Sequence, residues 1–215
     1  MPESLTDRAA RIATSTLANA LDDFDLGGNI LPSIKAVAPG FQFAGPAVTV
    51  KEVVGEVGSY TSADFRVGAI IDAASVGDVV VIDAGGACAS TWGGMASYAA
   101  KLKGVAGLLV DGAVRDLDEM VAFDFPVFSR HLTPLTGRTR LKVEAIGVPV
   151  SIDGVAVAPG DLIVADSTGV VVLPQAQAAE IIARAEAFAA DDASAMEDLK
   201  AGLTFSQAMA KYTRI

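Results

Sequence analysis

The sequence predicts an α/β fold, and three observations support that prediction. Short valine-rich runs such as residues 79–82 and 105–110 end abruptly in charged or turn-forming residues, as buried strands do. Residues 93–111 follow the order loop, helix, strand, which outlines a parallel crossover. The two ends of the chain instead repeat apolar residues at helical spacing. We therefore expect a strand-rich middle between two helical ends.

The first elements follow from the local patterns. Residues 5–23 repeat apolar side chains at helical intervals, which predicts one amphipathic helix that the glycine pair at 27–28 ends. Residues 45–54 alternate apolar and polar side chains and are rich in valine, which predicts a strand. Residues 62–75 place their apolar side chains on one helical face, which predicts a second helix.

The rest of the chain divides in the same way. A short helix is predicted at 117–123, and strands are predicted around residues 127, 150, 156, 163 and 171. Helices follow from residue 175 onward. We expect an α/β domain over residues 1–174, including the N-terminal helix, and a helical tail over 175–215 that contacts other subunits.

Two segments echo each other along the chain. VGDVVVIDAGG (76–86) and PGDLIVADSTG (159–169) both place a Gly-Asp turn before four apolar residues and an aspartate. One interpretation is an internal structural repeat, which would give two layers of strands instead of one open sheet. The other is convergence, because Gly-Asp turns before strands are common. The sequence leaves both open.

The composition bounds the assembly and its location. Hydrophobic residues make up 52% of the 215 residues and charged residues 20%, more apolar surface than one small core needs, so we expect a homo-oligomer. The apolar runs are too short to span a bilayer, and the start of the chain lacks the apolar core of a signal peptide. A single cysteine, Cys88, excludes an internal disulfide framework and suits the cytoplasm.

The charge and residue types limit the chemistry. A net charge of −10, without a basic cluster, argues against nucleic acid as a partner, and the short apolar runs argue against a membrane partner. His131 is the only histidine, so a Cys/His zinc site cannot form within one chain. The Gly85–Gly86 pair belongs to neither a G-x-G-x-x-G nor a Walker motif. The many carboxylates suit hard-metal or proton-transfer chemistry.

Arg115 and Asp116 stand side by side shortly after the strand predicted at 105–111, beyond a turn predicted at Asp111 and Gly112. In one interpretation, Asp116 caps the following helix and Arg115 pairs with Asp111 or Asp118. In the other, both residues lie at the carboxyl edge of a buried strand, where α/β folds bind ligands. Arg115 would then bind a carboxylate or enolate, and Asp116 a divalent cation. Spacing alone does not decide between the two.

The Gly93–Gly94 pair opens the helix that precedes this strand. Unsatisfied N–H groups at a helix start can bind a carboxylate or phosphate, and glycine allows a ligand to approach the backbone closely. The alternative is that these glycines only interrupt structure before the helix.

Several stretches resemble one known family. GPAVTV (45–50), GDVVVID (77–83), WGGMASYAAKLKGVAGLLVDGAVRD (92–116), FPVFSR (125–130) and PGDLIVADSTGVVVLP (159–174) are similar to the regulator-of-ribonuclease-activity-A-like family. That family includes class II pyruvate aldolases acting on 4-hydroxy-4-methyl-2-oxoglutarate and 4-carboxy-4-hydroxy-2-oxoadipate. The resemblance implies a layered β/β/α sandwich, swivelling-domain-like, with an N-terminal helix and a C-terminal helical tail, assembled as trimers or hexamers.

The resemblance also implies roles for individual residues. Pyruvate's carboxylate would bind the backbone amides of Gly93, Gly94, Met95 and Ala96. Arg115 would contact the substrate as the catalytic residue that stabilises the enolate. Asp116 would be the one direct protein ligand of Mg²⁺ or Mn²⁺, with water completing the shell. The ribonuclease-regulator branch typically lacks this aspartate, so its presence favours the enzyme branch, a metal-dependent lyase.

One departure bears on the substrate. The family's aldolases carry an acidic residue, implicated in proton transfer, where this chain has Gly94, which matters less for oxaloacetate decarboxylation than for aldol cleavage. A neighbouring subunit's tail could donate an acid, and this tail offers Asp191, Asp192 and Glu197. Two rival functions stay open: a non-enzymatic regulator that masks a partner enzyme, and a Schiff-base aldolase using Lys51.

Overall fold

A computed structural model describes residues 3–212. Its helices are α1 (Leu5–Ala9), α2 (Thr14–Asp22), α3 (Val67–Ala73), α4 (Gly94–Lys103), α5 (Leu117–Ala122), α6 (Ala178–Lys200) and α7 (Phe205–Met209). Its strands are β1 (Lys35–Ala36), β2 (Phe43–Val54), β3 (Val79–Asp83), β4 (Ser90–Trp92), β5 (Gly107–Val114), β6 (Val127–Leu132), β7 (Leu141–Ile146), β8 (Val150–Ile152), β9 (Val155–Val157), β10 (Leu162–Ala165) and β11 (Val170–Leu173).

The long strand β2 connects the two halves of the main sheet. On one side it pairs in parallel with β3, which continues through the parallel strands β5 and β6. On the other side β2 pairs with β10 and β7, both antiparallel, and β10 pairs with β11. The short strand β4 adds to β5 in parallel, and β8 and β9 form a separate hairpin. The sheet therefore has a parallel half and an antiparallel half.

The two halves enclose a common core because side chains alternate along each strand. Phe43, Val79, Leu109, Phe128 and Val172 point into the space between the halves. The other face of the parallel half packs on α3, α4 and α5. The other face of the antiparallel half packs on α2 and the first half of α6. The layers are thus helix, strand, strand, helix.

The segment before β2 nearly closes the sheet on itself. Ile30 bridges Val171 of β11, and the Leu31 N–H donates to the Val170 carbonyl at 3.1 Å. A few residues later Lys35 and Ala36 pair with β6, at the far end of the same sheet. Residues 30–36 therefore run across the gap between the two terminal strands.

The predicted α/β layered fold is confirmed, with two layers of strands that are halves of one sheet. The strand at 45–54, the crossover of 93–111, the helix at 117–123 and the later strands lie where the sequence predicts them. The echoed segments hold β3 and β10, which lie on opposite sides of β2 and run in opposite directions. None of the helices within residues 3–212 combines the length and the apolar character that crossing a bilayer requires.

Two predicted helices differ in extent. The helix expected over 5–23 is two helices, because the Asp166 carboxylate accepts hydrogen bonds from the Thr14 N–H and hydroxyl, at 2.9 and 2.7 Å, and so caps a new helix at residue 14. The helix expected over 62–75 is limited to Val67–Ala73. Before it, the Asp64 side chain accepts from the Thr61 N–H and forms a turn instead.

Candidate functional site

A cleft of about 580 Å³ opens where β4 and β5 end and α3, α4 and α5 begin to cover the sheet. It is lined by Phe65, Val67, Gly68, Ile71, Ser90, Thr91, Trp92, Gly93, Gly94, Met95, Ala96, Ala99, Arg115, Asp116, Glu119 and Thr136. One wall, from α3 and the side of α4, is apolar. The opposite wall carries the guanidinium of Arg115 and the carboxylates of Asp116 and Glu119. All six residues singled out by the resemblance lie in this one cleft.

The start of α4 faces the end of β5 across the cleft. Gly93 is the N-cap of α4, in an extended conformation, and Trp92 before it belongs to β4, which pairs with β5. The Gly94 N–H donates to Asp116 Oδ2 at 3.1 Å. The N–H groups of a helix's first turn have no partners within the helix, so this end of α4 presents donors and the positive end of its dipole to the cleft.

The chain turns sharply at Asp116 to leave β5 and enter α5. Asp116 has φ 63° and ψ 44°, the left-handed region, which Asp adopts more readily than most residues. Asp116 occupies the N-cap position of α5, as one interpretation expected, but its side chain makes no capping hydrogen bond to that helix. The carboxylate instead approaches α4, with Arg115 Nε 3.5 Å from Oδ2. Both side chains are partly exposed to the cleft.

The two glycines leave the space that these side chains occupy. A Cβ at residue 93 would stand 2.5 Å from Asp116 Oδ2 and 3.3 Å from Arg115 Cγ. A Cβ at residue 94 would overlap the carboxylate of Glu119, which reaches over from α5. The pair is therefore a requirement for close approach between α4, Asp116 and Glu119, not only an interruption before a helix.

Asp111, one of the two alternative partners proposed for Arg115, is engaged elsewhere. Asp111 Oδ1 accepts from Arg130 Nε at 2.6 Å, and Arg130 also reaches Asp153 Oδ1 at 2.7 Å. These hydrogen bonds, above all that to Asp111, raise the pKa of the Arg130 guanidinium further above its already high value. These three partly buried side chains tie the β8–β9 hairpin to the sheet, outside the cleft. The surface pairing of Arg115 with Asp111 is therefore wrong.

Lys51 does not belong to the cleft either. Its Nζ pairs with Asp83 Oδ2 at 2.8 Å, and its side chain is 38% exposed. A Schiff-base lysine needs a desolvated amine facing the substrate. The ion pair with Asp83, away from the cleft lining, argues against that role.

The structure adds a buried carboxyl that sequence reasoning missed. Glu52, on β2, is 2% exposed, and its Oε1 accepts from Thr91 Oγ1 at 2.6 Å. Burial raises the pKa of Glu52 to about 7. The hydrogen bond from Thr91 acts in the opposite direction and lowers the pKa, whereas the negative charge of nearby Asp83 raises it further. The signal in the sequence is slight: Lys51 and Glu52 break the alternation of the strand at a bulge against β7.

The donor set at the cleft limits what metal could bind there. Within residues 3–212, no group of three or more His, Cys, Asp or Glu side chains stands ready to hold a metal ion. Asp116 is a single carboxylate oriented by Gly94 and Arg115. Such a donor fits a hard cation that keeps several waters, as Mg²⁺ does, and does not fit a site built wholly from protein ligands. The tail residues Asp191, Asp192 and Glu197 lie on α6, away from this cleft.

Comparisons with known proteins agree with this architecture. The family model described as RraA-like, Aldolase/RraA, matches residues 14–172. A protein of Halalkalibacterium halodurans named "Putative 4-hydroxy-4-methyl-2-oxoglutarate aldolase" is 37% identical over 182 residues, 84% of this chain and 81% of that protein.

Two solved structures share the fold over nearly the whole chain. A crystal structure of an uncharacterized protein from Pseudomonas syringae pv. tomato superposes with a TM-score of 0.88 at 31% identity, covering 99% of this chain and 96% of that one. RraAS2 of Streptomyces coelicolor, described as an unusual member of the RNase ES inhibitor RraA protein family, has a TM-score of 0.80 at 28% identity, covering 93% and 100%.

Proposed function

We propose that this chain, which belongs to the RraA-like family, is a carbon–carbon lyase that acts on 2-oxo acids and releases pyruvate. The reaction is retro-aldol cleavage of a 4-hydroxy-2-oxo acid, decarboxylation of oxaloacetate, or both. In each case the bond between C3 and C4 breaks and leaves the enolate of pyruvate. The name of the relative from Halalkalibacterium halodurans supports the aldolase reaction.

One observation carries the proposal: Asp116, Arg115 and the start of α4 meet within a single cleft, with the Gly94 N–H 3.1 Å from Asp116 Oδ2. Helix N–H groups bind a carboxylate, and a guanidinium stabilises an enolate oxygen. The two needs of this reaction, a place for the substrate's carboxylate and a cation for developing charge, are therefore met side by side.

The chain's own residues divide the work. The backbone amides of Gly93, Gly94, Met95 and Ala96 bind and orient the 2-oxo carboxylate. Arg115 donates hydrogen bonds to the oxygen that becomes negative as the bond breaks. The apolar wall from α3 excludes water from one side of the substrate, which strengthens these electrostatic contacts.

Asp116 would hold a divalent cation, Mg²⁺ or Mn²⁺. When bound, such a cation supplies Lewis-acid stabilisation of the substrate's oxygens. The other residues of the cleft would hold the substrate without coordinating the metal.

Pyruvate release is the direct test. The purified protein should release pyruvate from a panel of 4-hydroxy-2-oxo acids and from oxaloacetate in the presence of Mg²⁺ or Mn²⁺, and excess chelator should abolish the activity. Full activity in excess chelator would remove the metal from the proposal. If borohydride reduction in the presence of pyruvate labels Lys51, the reaction uses a Schiff base on Lys51 and not the metal-dependent mechanism.

A second candidate function is a regulator that binds and masks a partner enzyme without catalysis. The observation that favours it is the similarity to RraAS2, which is described as a member of an RNase inhibitor family. It predicts stoichiometric binding of an enzyme of the RNase ES type and no turnover of any 2-oxo acid. A binding titration beside the pyruvate assay separates the two functions.

We also propose that the chain works as a homo-oligomer, a trimer or a hexamer. Three large apolar side chains, Met95, Tyr98 and Leu102, are 87%, 50% and 71% exposed and share one face of α4 beside the cleft. A second copy of the chain is the occupant that would cover this face. Light scattering should give three or six subunits, and Leu102→Glu should lower that number.

A further inference from the structure

A buried carboxyl lies beneath the cleft and takes no part in the reaction described so far. Glu52 is 2% exposed, and it pairs across the sheet with Val143 of β7, a member of the apolar cluster on the α3 side of the sheet. Its Oε1 accepts from Thr91 Oγ1, and Thr91 lines the cleft. Within the described residues, its Oε2 is buried without any hydrogen-bond partner.

An unsatisfied buried oxygen destabilises a fold, so this carboxyl calls for an explanation beyond packing. Its cost falls when the group is neutral, and burial raises the pKa of Glu52 to about 7. Glu52 thus passes between its neutral and its charged form close to neutral pH, which is the range suited to proton exchange.

Few charges face Glu52 from the elements packed around it. On β3, Asp83 adds a negative charge that is itself paired with Lys51. On β7, Val143 lies opposite Glu52, while its neighbours Lys142 and Glu144 are exposed on the other side of the strand. The guanidinium of Arg66, before α3, donates to the Val143 carbonyl at 3.1 Å. On β4, the facing group is the neutral hydroxyl of Thr91.

We propose that Glu52 is a positioning residue that stores one proton and exchanges it with the substrate in the cleft through the Thr91 hydroxyl. This inference rests on the proposed lyase function, which it deepens. Thr91 stands two residues before Gly93 and is among the residues that line the cleft, and its side chain is almost fully buried there.

Retro-aldol cleavage, the reaction to which this proposal applies, removes a proton from the substrate's C4 hydroxyl and adds one at C3, so one group can first take and then return the proton. In retro-aldol cleavage the C4 hydroxyl loses a proton as the C3–C4 bond breaks, and the bond's electron pair forms the pyruvate enolate. Thr91 Oγ1 accepts that proton while passing its own to Glu52 Oε1. The transfer then reverses, and C3 of the enolate takes the proton to give pyruvate. No other reactant is consumed.

The experiment compares wild type with Glu52→Gln, Thr91→Val and Thr91→Ser, with Thr49→Val as the matched control. Thr49 is also a buried threonine whose hydroxyl donates a hydrogen bond, at 2.6 Å to the Val148 carbonyl, but it does not line the cleft. Three quantities are measured: kcat and KM for pyruvate release across about pH 5.5 to 9, deuterium uptake into the methyl group of pyruvate in D₂O, and the pH dependence of unfolding.

The proposal expects kcat to fall by roughly ten- to a hundredfold in Glu52→Gln and in Thr91→Val, with KM nearly unchanged. The pH profile of Glu52→Gln should lose its limb near pH 7, and deuterium uptake should fall in parallel. Thr91→Ser, which keeps the hydroxyl, should retain most activity, as should Thr49→Val.

The stability measurement is independent of activity. The pKa of Glu52 in the folded state lies above its usual value of 4.5. The contribution of neutral Glu52 to the free energy of unfolding is therefore fully present below pH 4.5 and is lost as the pH rises towards 7. Glu52→Gln should therefore gain stability relative to wild type on going from pH 5 to pH 8.

Three results would overturn the proposal. If Glu52→Gln keeps the wild-type kcat and pH profile, Glu52 does not store the proton, while the proposed lyase function stands. If Glu52→Gln does not fold, the two Thr91 variants decide the question. Equal activities of Thr91→Val and Thr91→Ser would show that the Thr91 hydroxyl carries no proton to the substrate. Absence of turnover in wild type with every 2-oxo acid would overturn the lyase function and the relay with it.

Discussion

The carboxylate of Glu119 occupies the space that a side chain on Gly94 would fill. The Cβ of Glu119 would also lie 2.7 Å from a Cβ at residue 94. Rotation of the outer part of the Glu119 side chain therefore does not make room for a larger residue at position 94. Helices α4 and α5 would have to separate. An acid from α5 therefore fills the space that a side chain on α4 would otherwise take.

Gly94→Ala is therefore expected to impair both the fold and the site. Separating α4 from α5 should cost about 1–3 kcal/mol in the free energy of unfolding. Activity should also fall, since the Gly94 N–H would move away from Asp116. Denaturant unfolding and the pyruvate assay measure the two effects. Gly28→Ala, where a Cβ meets no atom within 4 Å, is the control and should behave as wild type.

Asp116→Asn should abolish the dependence of activity on a divalent cation. Asparagine tolerates the left-handed backbone at this position and can still accept from the Gly94 N–H, so the fold should persist. The carboxylate charge that would bind the cation is lost, and nearly all turnover should go with it. Titration of Mg²⁺ or Mn²⁺ against pyruvate release measures both. Asp118→Asn, an exposed neighbour on α5, should keep wild-type metal dependence; an equal loss there would contradict the assignment.

Two arginines should respond in opposite ways to replacement by lysine. Arg115→Lys keeps the charge but loses the planar fork that matches an enolate or carboxylate, so kcat should fall by about two to three orders of magnitude with little change in stability. Arg130→Lys cannot span Asp111 and Asp153 together, so the free energy of unfolding should fall by roughly 1–3 kcal/mol while kcat stays near wild type. Kinetics and thermal unfolding of both variants test this pair; an active Arg115→Lys variant would refute the role of Arg115.

Asp166 should make the fold sensitive to acid. Burial would raise the pKa of Asp166, but hydrogen bonds from Thr14, Thr168 and Gly169 outweigh burial and hold the pKa below its usual value of 3.8. Its stabilising contribution is therefore present above that value and is lost as the pH falls through the lower folded-state pKa. Asp166→Ala should lose about 1 kcal/mol at neutral pH, as for a removed helix cap. The difference from wild type should shrink below pH 4, as measured by unfolding at several pH values.

The sequence predicts most of this architecture because its local signals are strong. The crossover of 93–111 and the strand at 45–54 follow from periodicity within their own segments, and the position of Arg115 and Asp116 follows from the strand that precedes them. The break between α1 and α2 could not be predicted, because the capping carboxylate of Asp166 lies 152 residues away. The same limit hides the buried Glu52, because its hydrogen-bond partner Thr91 lies in another strand, 39 residues further along the chain.

The segment 30–36 has a consequence for any chain that loses its first residues. It covers the strand edges of both β6 and β11, whose N–H and C=O groups would otherwise lie open. Open strand edges pair readily with those of other molecules. A chain that begins after residue 36 should therefore tend towards edge-to-edge self-association, and it would also lose the side chains of α1 and α2, such as Leu17 and Leu21, from the apolar cluster shared with α6.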